Sequence, residues 1–169
     1  MTPMVFFHGL GGSPQGNKSR FLQEKFPHIL IPSLSPDLDE RLEAAINLVR
    51  QPSLIIGSSI GAITALMLAK RQPSLVLALL LLAPAVGYFD PTLVPVEKLR
   101  LIRSLTIPGI PTQVIGAIDD ELIPLASIEQ LVQQAAAPNL VSLVKVQDGH
   151  QLIHSFDEIL KAVETLLAF

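Results

Sequence analysis

Leu54-Ile55-Ile56-Gly57-Ser58-Ser59-Ile60-Gly61-Ala62-Ile63-Thr64-Ala65-Leu66-Met67-Leu68-Ala69 is the stretch that decides the fold. An apolar run ends at a small-residue turn, and a second apolar segment of helical length follows it. That reads as a strand, a tight turn with Ser59 at its tip, and a helix. Such a turn brings strand and helix close together, so the positions two before and two after the serine must be small. Gly57 and Gly61 meet that need. The helix start then faces the serine with its unpaired N–H groups, which favour negative charge.

Outward from this stretch, short apolar runs alternate with helical periodicity. Strands are expected at Met4–Phe7, His28–Ile31, Leu54–Ile56, Leu75–Leu82, Pro111–Ile115 and Leu140–Val146. Helices are expected at Gln15–Lys25, Asp37–Arg50, Ile60–Arg71, Leu125–Ala137 and Phe156–Leu167, with a short one at Pro95–Ser104. In Asp37–Arg50, residues Leu38, Leu42, Ala45, Ile46 and Val49 recur at helical spacing. The alternation implies an α/β fold of three layers, with about six parallel strands and helices on both faces. No repeat or linker divides the chain, so residues 1–169 are expected to form one domain. Between the fourth and fifth strands there is room for a loop and one short helix, which means a minimal lid or none.

Composition narrows the function. Apolar residues make up 49% of the chain and charged residues 16%, the profile of a core-rich globular protein. The net charge of −3 comes with no basic block, which argues against nucleic-acid binding. With no cysteine there are neither disulfides nor thiolate metal sites. His150 and His154 have the spacing of a helical metal pair, but His150 is expected in a loop, so no metal is read. Met4–Phe7 lacks the length and basic flank of a leader, and the uncharged stretches Pro52–Ala69 and Gln72–Phe89 read as buried strand and helix. The default is a cytoplasmic protein with no membrane span.

A serine hydroxyl is a weak nucleophile without a base to take its proton and a third group to hold that base. On a strand–turn–helix elbow the partners follow in the order Ser, Asp or Glu, His, each on a loop after a strand. His150, in Gln147-Asp148-Gly149-His150, follows the last strand and is the candidate base; His154 is its competitor. The candidate acids lie in Gly116-Ala117-Ile118-Asp119-Asp120-Glu121-Leu122-Ile123-Pro124. Glu121 is read there as a solvated turn residue. Two backbone N–H groups are needed for an oxyanion. Ile60, directly after the nucleophile, supplies one, and Leu10, in the glycine-rich loop His8-Gly9-Leu10-Gly11-Gly12-Ser13, supplies the other. His8, Gly9 and Ser58 are expected to line the substrate pocket. That loop carries neither G-x-G-x-x-G nor a Walker A pattern, so no nucleotide or other cofactor is expected.

With these pieces placed, the chain resembles a short, lidless α/β-hydrolase, and within that superfamily the YqiA-like small esterases. The resemblance rests on Phe6-Phe7-His8-Gly9, Ser13-Pro14, Lys18, Ile56-Gly57-Ser58-Ser59-Ile60-Gly61, Asp120-Glu121-Leu122-Ile123 and Gly149-His150, and it covers essentially the whole chain. Gly11-Gly12 and Pro124 depart from the subgroup and are common in broader hydrolases. Related sequences often read Asp-x-x-aliphatic-Pro, with the acid four before the proline, which selects Asp120; counting from Gly116 favours Asp119 instead. The resemblance implies cleavage of a small-molecule carboxylic ester or thioester through an acyl-enzyme, by Ser59, Asp120 and His150. A C–C hydrolase, a lyase, an acyltransferase or a non-catalytic binding protein are the alternatives on the same fold. Lys18 and Arg20 either meet an anionic substrate or sit on a solvated helix face. The oligomeric state, monomer or dimer, stays open.

Overall fold

The computed structural model describes residues 1–87, 92 and 94–169. Five parallel strands form one sheet in the order β1-β2-β3-β4-β5. They are β1 (Met4–Phe7), β2 (Ser53–Ser58), β3 (Val76–Leu82), β4 (Thr112–Ala117) and β5 (Val141–Val146). The helices are α1 (Asn17–Lys25), α2 (Leu38–Leu48), α3 (Ile60–Arg71), α4 (Val96–Ser104), α5 (Leu125–Gln133) and α6 (Phe156–Leu167). Single turns of 3₁₀ helix, Pro73–Leu75 and Pro138–Leu140, lead into β3 and β5.

Side chains on a strand alternate between faces, and the core divides accordingly. Val5, Phe7, Ile55, Leu79, Leu81 and Val114 pack under α2, α3, α4 and α5. Met4, Phe6, Leu54, Ile56, Leu80 and Leu82 pack under α1 and α6, through Leu22, Ile159, Ala162, Val163 and Leu166. Helix α3 is buried from Ile60 to Ala69, which explains why its sequence is apolar on every side. Asp37 starts α2: its Oδ1 accepts the backbone N–H groups of Asp39 and Glu40 at 2.9 and 3.0 Å.

The expected strand at His28–Ile31 shrinks to a parallel bridge between Leu30 and Val5. Phe6 N donates to Leu30 O and Leu30 N to Met4 O, both at 2.9 Å. Pro27 and Pro32 close the segment on either side, and proline has no N–H for a ladder. A single paired residue at the edge of the sheet is what remains. Even so, the bridge fixes the topology. After β1 the chain crosses outward to Leu30 past α1, then back over the other face through α2 to β2. Right-handed crossovers in opposite directions place their helices on opposite faces. The reversal opens a crevice at the carboxyl ends of β1 and β2, where ligands bind in open α/β sheets.

Helix α5 stops at Gln133, short of the expected Ala137. The residue before Pro138 is disfavoured in helix, and Ala136 N turns away to donate to Ile107 O at 2.9 Å. Between β3 and β4 the described residues form α4, turns and irregular chain; the part of the expectation for this connection that falls on 88–91 and 93 lies outside the described residues. No helix among the described residues is long and apolar enough to cross a membrane.

The registers align the carboxyl ends of the strands. Phe7 pairs with Gly57, Ser58 with Leu82, and Ala117 with Val146. The loops after β1, β2, β4 and β5 therefore leave the sheet from one edge and meet there.

Candidate active site

Ser59 sits between β2 and α3 with φ 57° and ψ −117°, a conformation that side-chain-bearing residues rarely adopt. Neighbouring contacts hold it there. Ser59 N donates to Leu82 O at 2.9 Å, and Ser59 O accepts Ala62 N at 3.1 Å and Ala85 N at 3.3 Å. Both flanking glycines are sterically required. A Cβ on Gly57 would lie 2.4 Å from Gly61 O, and one on Gly61 would lie 1.9 Å from Phe7 O. The strand–helix closeness expected from the sequence thus extends to β1, whose backbone touches the start of α3.

His150 and Asp120 reach Ser59 from the loops after β5 and β4. His150 Nε2 lies 2.9 Å from Ser59 Oγ, and its Nδ1 lies 2.8 Å from Asp120 Oδ2. The Asp120 side chain is 1% exposed and that of His150 is 6% exposed. Asp120 Oδ1 accepts the N–H groups of Leu122 and Ile123 at 2.9 and 2.7 Å. One oxygen of Asp120 thus faces the imidazole and the other closes the turn. Asp119 is exposed; its carboxylate accepts from Gln147 Nε2, away from the imidazole. His154 is also exposed, and it is its backbone N–H that enters the loop's bonding. A hydroxyl, an imidazole and a carboxylate bonded in a row can draw a proton off the oxygen and stabilise the imidazolium that results.

Two residues of this loop system carry more than the sequence suggested. Glu121, read as a solvated turn residue, is exposed but pinned: its Oε2 accepts His150 N at 3.1 Å. Its own backbone N–H, then that of His150, hold its carboxyl below the ordinary range. Asp148 Oδ1 accepts Gly149 N, and its Oδ2 accepts His154 N and Ser155 Oγ, each at 2.8 Å. Burial alone would raise the Asp148 carboxyl; those three bonds outweigh it, and the net shift is downward. Asp148 shapes the turn that presents His150.

On the other side of Ser59 lies the loop after β1. Leu10 N and Ile60 N donate to no carbonyl or side-chain acceptor among the described residues. A Cβ on Gly9 would stand 3.2 Å from Ser59 Cβ, so this backbone passes directly against the serine. His8 lines the cavity, yet both ring nitrogens serve the loop. Nδ1–H donates to Gly9 O at 2.8 Å, and Nε2 accepts Leu34 N at 3.2 Å. Burial lowers the His8 pKa, as the neutral tautomer set by those two bonds requires.

The cavity above Ser59 has a volume of about 460 Å³, within the usual range for small-molecule sites. Gly9, Leu10, Ser58, Ser59, Ile60 and His150 line it, with Lys18, Leu122 and Ile153 around them. A larger cavity of about 600 Å³ lies at the opposite end of β1 and β2. It is lined by Met4, Phe26, Leu48 and Leu167 among others and holds none of the groups just described. No cluster of three metal-ligating side chains occurs among the described residues.

Lys18 is a wall of the first cavity, while Arg20 is exposed and outside it. Lys18 Nζ donates to Gln151 O at 2.5 Å, joining α1 to the residue after His150. Burial pulls its pKa down from 10.5 to about 8, against the opposing pull of Asp148. Between those two values the unfolded chain holds a proton that the folded protein has released, so Lys18 makes folding more favourable as pH rises through that window. The stability of the wild type relative to Lys18→Met should therefore grow between pH 8 and 10.5 in urea titrations of both proteins. A difference that stays flat with pH contradicts this account of Lys18.

Comparison with known proteins agrees with this architecture. A structure from Xanthomonas campestris described as a hydrolase of the α/β superfamily superposes with a TM-score of 0.80 at 23% identity, covering 99% of either chain. Mouse alpha/beta hydrolase domain-containing protein 10 superposes at 0.81 with 15% identity, covering 98% of this chain and 89% of its own. Est1E from Butyrivibrio proteoclasticus, solved with ferulic acid bound, superposes at 0.79 with 16% identity, covering 99% and 88%. At these identities the likeness establishes the α/β-hydrolase fold. No curated protein sequence matches significantly. The model of the serine hydrolase family, however, matches residues 4–167, from β1 to the last turn of α6. On that match across nearly its whole length, the chain belongs to the serine hydrolase family.

Proposed function

We propose that this hydrolase cleaves a carboxylic ester or thioester through an acyl-enzyme, with residues 1–169 acting as one catalytic domain. The observation that carries the reading is the hydrogen-bonded row Ser59–His150–Asp120, set beneath a cavity and beside two unpaired backbone N–H groups.

Ser59 Oγ attacks the carbonyl carbon as His150 Nε2 takes its proton. Asp120 Oδ2 accepts from Nδ1–H, which keeps the imidazole oriented and its free lone pair on Nε2. The carbonyl oxygen becomes an oxyanion facing Leu10 N–H and Ile60 N–H. When the tetrahedral adduct collapses, the bond to the alkoxide or thiolate breaks and His150 returns the proton to that leaving group. Water then follows the same course: it gives a proton to His150, attacks the acyl carbon, and releases the acid and a free Ser59.

A fluorophosphonate probe tests the reading, followed by a series of p-nitrophenyl esters and matching thioesters of increasing acyl length. Covalent labelling at Ser59 and turnover of short esters are the expected results. A folded protein that neither takes the label nor turns over any member of the series refutes the reading.

A further inference from the structure

Arg41 is a buried cation on the apolar face of α2. It is 1% exposed, and no carboxylate pairs with it among the described residues. Its bonds go to backbone carbonyls. Nε donates to Ser35 O at 2.6 Å, Nη1 to His8 O at 2.7 Å and Nη2 to Gly9 O at 3.1 Å. Burying a guanidinium is costly, and an apolar residue of similar volume would fill the space without that cost. The two carbonyls bound by its terminal nitrogens belong to the loop that passes against Ser59.

Gly9 O is held from three sides: by Arg41 Nη2, by His8 Nδ1–H at 2.8 Å and by Gly12 N at 3.2 Å. In a trans peptide the C=O and the N–H point in opposite directions. No peptide bond among the described residues is cis. Fixing Gly9 O toward Arg41 therefore turns Leu10 N–H the other way, toward the cavity, and Leu10 N has no acceptor among the described residues. The positive charge behind the carbonyl also polarises this peptide, which makes its N–H a stronger donor to an anion.

We infer that Arg41, with His8, is a positioning residue for the oxyanion hole, clamping the Gly9–Leu10 peptide so that Leu10 N–H faces the oxygen of the tetrahedral adduct. This inference rests on the acyl-enzyme reading above. It deepens that reading, because it locates the control of transition-state binding on a helix that touches no substrate.

The test compares two inhibitors on wild type, Arg41→Lys and Arg41→Met. A trifluoromethyl ketone adds Ser59 Oγ to its carbonyl carbon and forms a hemiketal oxyanion. The matching methyl ketone binds without adding. Wild type should strongly prefer the trifluoromethyl ketone. In Arg41→Met that preference should fall by about 10- to 100-fold, in step with kcat and with KM little changed, a loss below that of deleting an oxyanion donor outright. Arg41→Lys keeps the charge but not the fork, so it should lose less. In wild type, the Leu10 amide proton should move downfield when the hemiketal forms, a readout that needs no variant to fold. A lowered kcat with an unchanged inhibitor preference, or a Leu10 resonance that stays in place on binding, overturns the clamp. Failure of wild type to bind the trifluoromethyl ketone at all refutes the acyl-enzyme reading instead.

Discussion

In Ser59→Ala, the proposed ester hydrolysis should fall by about 10³- to 10⁶-fold while the protein stays folded, the scale seen when a nucleophile is removed from a serine triad. The loss should be large because, among the described residues, Ser59 carries the one hydroxyl that bonds His150 Nε2: the imidazole keeps its place beside Asp120, but the atom that would form the proposed acyl-enzyme is gone. Folding survives because the strain at Ser59 lies in its backbone, at φ 57°, and is held by bonds from its own N–H and C=O. Alanine keeps the same Cβ and gives up a single bond, to His150 Nε2. The measurements are initial rates on the best p-nitrophenyl ester and a urea melt. Activity that persists in Ser59→Ala and disappears in Ser58→Ala would move the nucleophile by one residue.

Asp120→Asn should lower kcat by about 10³- to 10⁴-fold, the cost of the wrong imidazole tautomer in a triad. The amide can still accept from Leu122 N and Ile123 N through its oxygen, which keeps the turn. Its NH₂ then faces His150 Nδ1 and donates to it, so the ring proton moves to Nε2, where it blocks the lone pair needed by Ser59. Asp119→Asn should change the rate by less than about 3-fold, since that carboxylate is exposed and bonds to Gln147. Steady-state rates for the two variants decide the matter, and the opposite pattern would move the acid to Asp119.

These two aspartates show where sequence reading reaches its limit. They are adjacent, share one chemistry, and lie in a loop whose neighbours supported either choice. Their side chains differ only in direction, and direction depends on how the loop after β4 meets the loop after β5. The same holds for Glu121 and Arg41, whose bonds run to backbone groups on other segments. Arg41 did leave a trace: it lies three residues after Leu38 and four before Ala45, inside the buried stripe of α2. A charged residue in such a stripe marks an internal target, but it does not say which.

The elbow and the alternation of strands and helices were legible in the residues alone. Those features are local. Gly57 answers to contact with Gly61 and Ala62, a few residues away, and helical and strand periodicities act over one or two turns. That His28–Ile31 contributes a single bridge, that Asp120 rather than Asp119 faces His150, and that Arg41 bonds to the loop after β1 came from long-range contacts. Each of these depends on segments brought together by the register of the sheet. His150 and Ser59 stand 91 positions apart, and their 2.9 Å contact exists only because β2, β4 and β5 end at one edge.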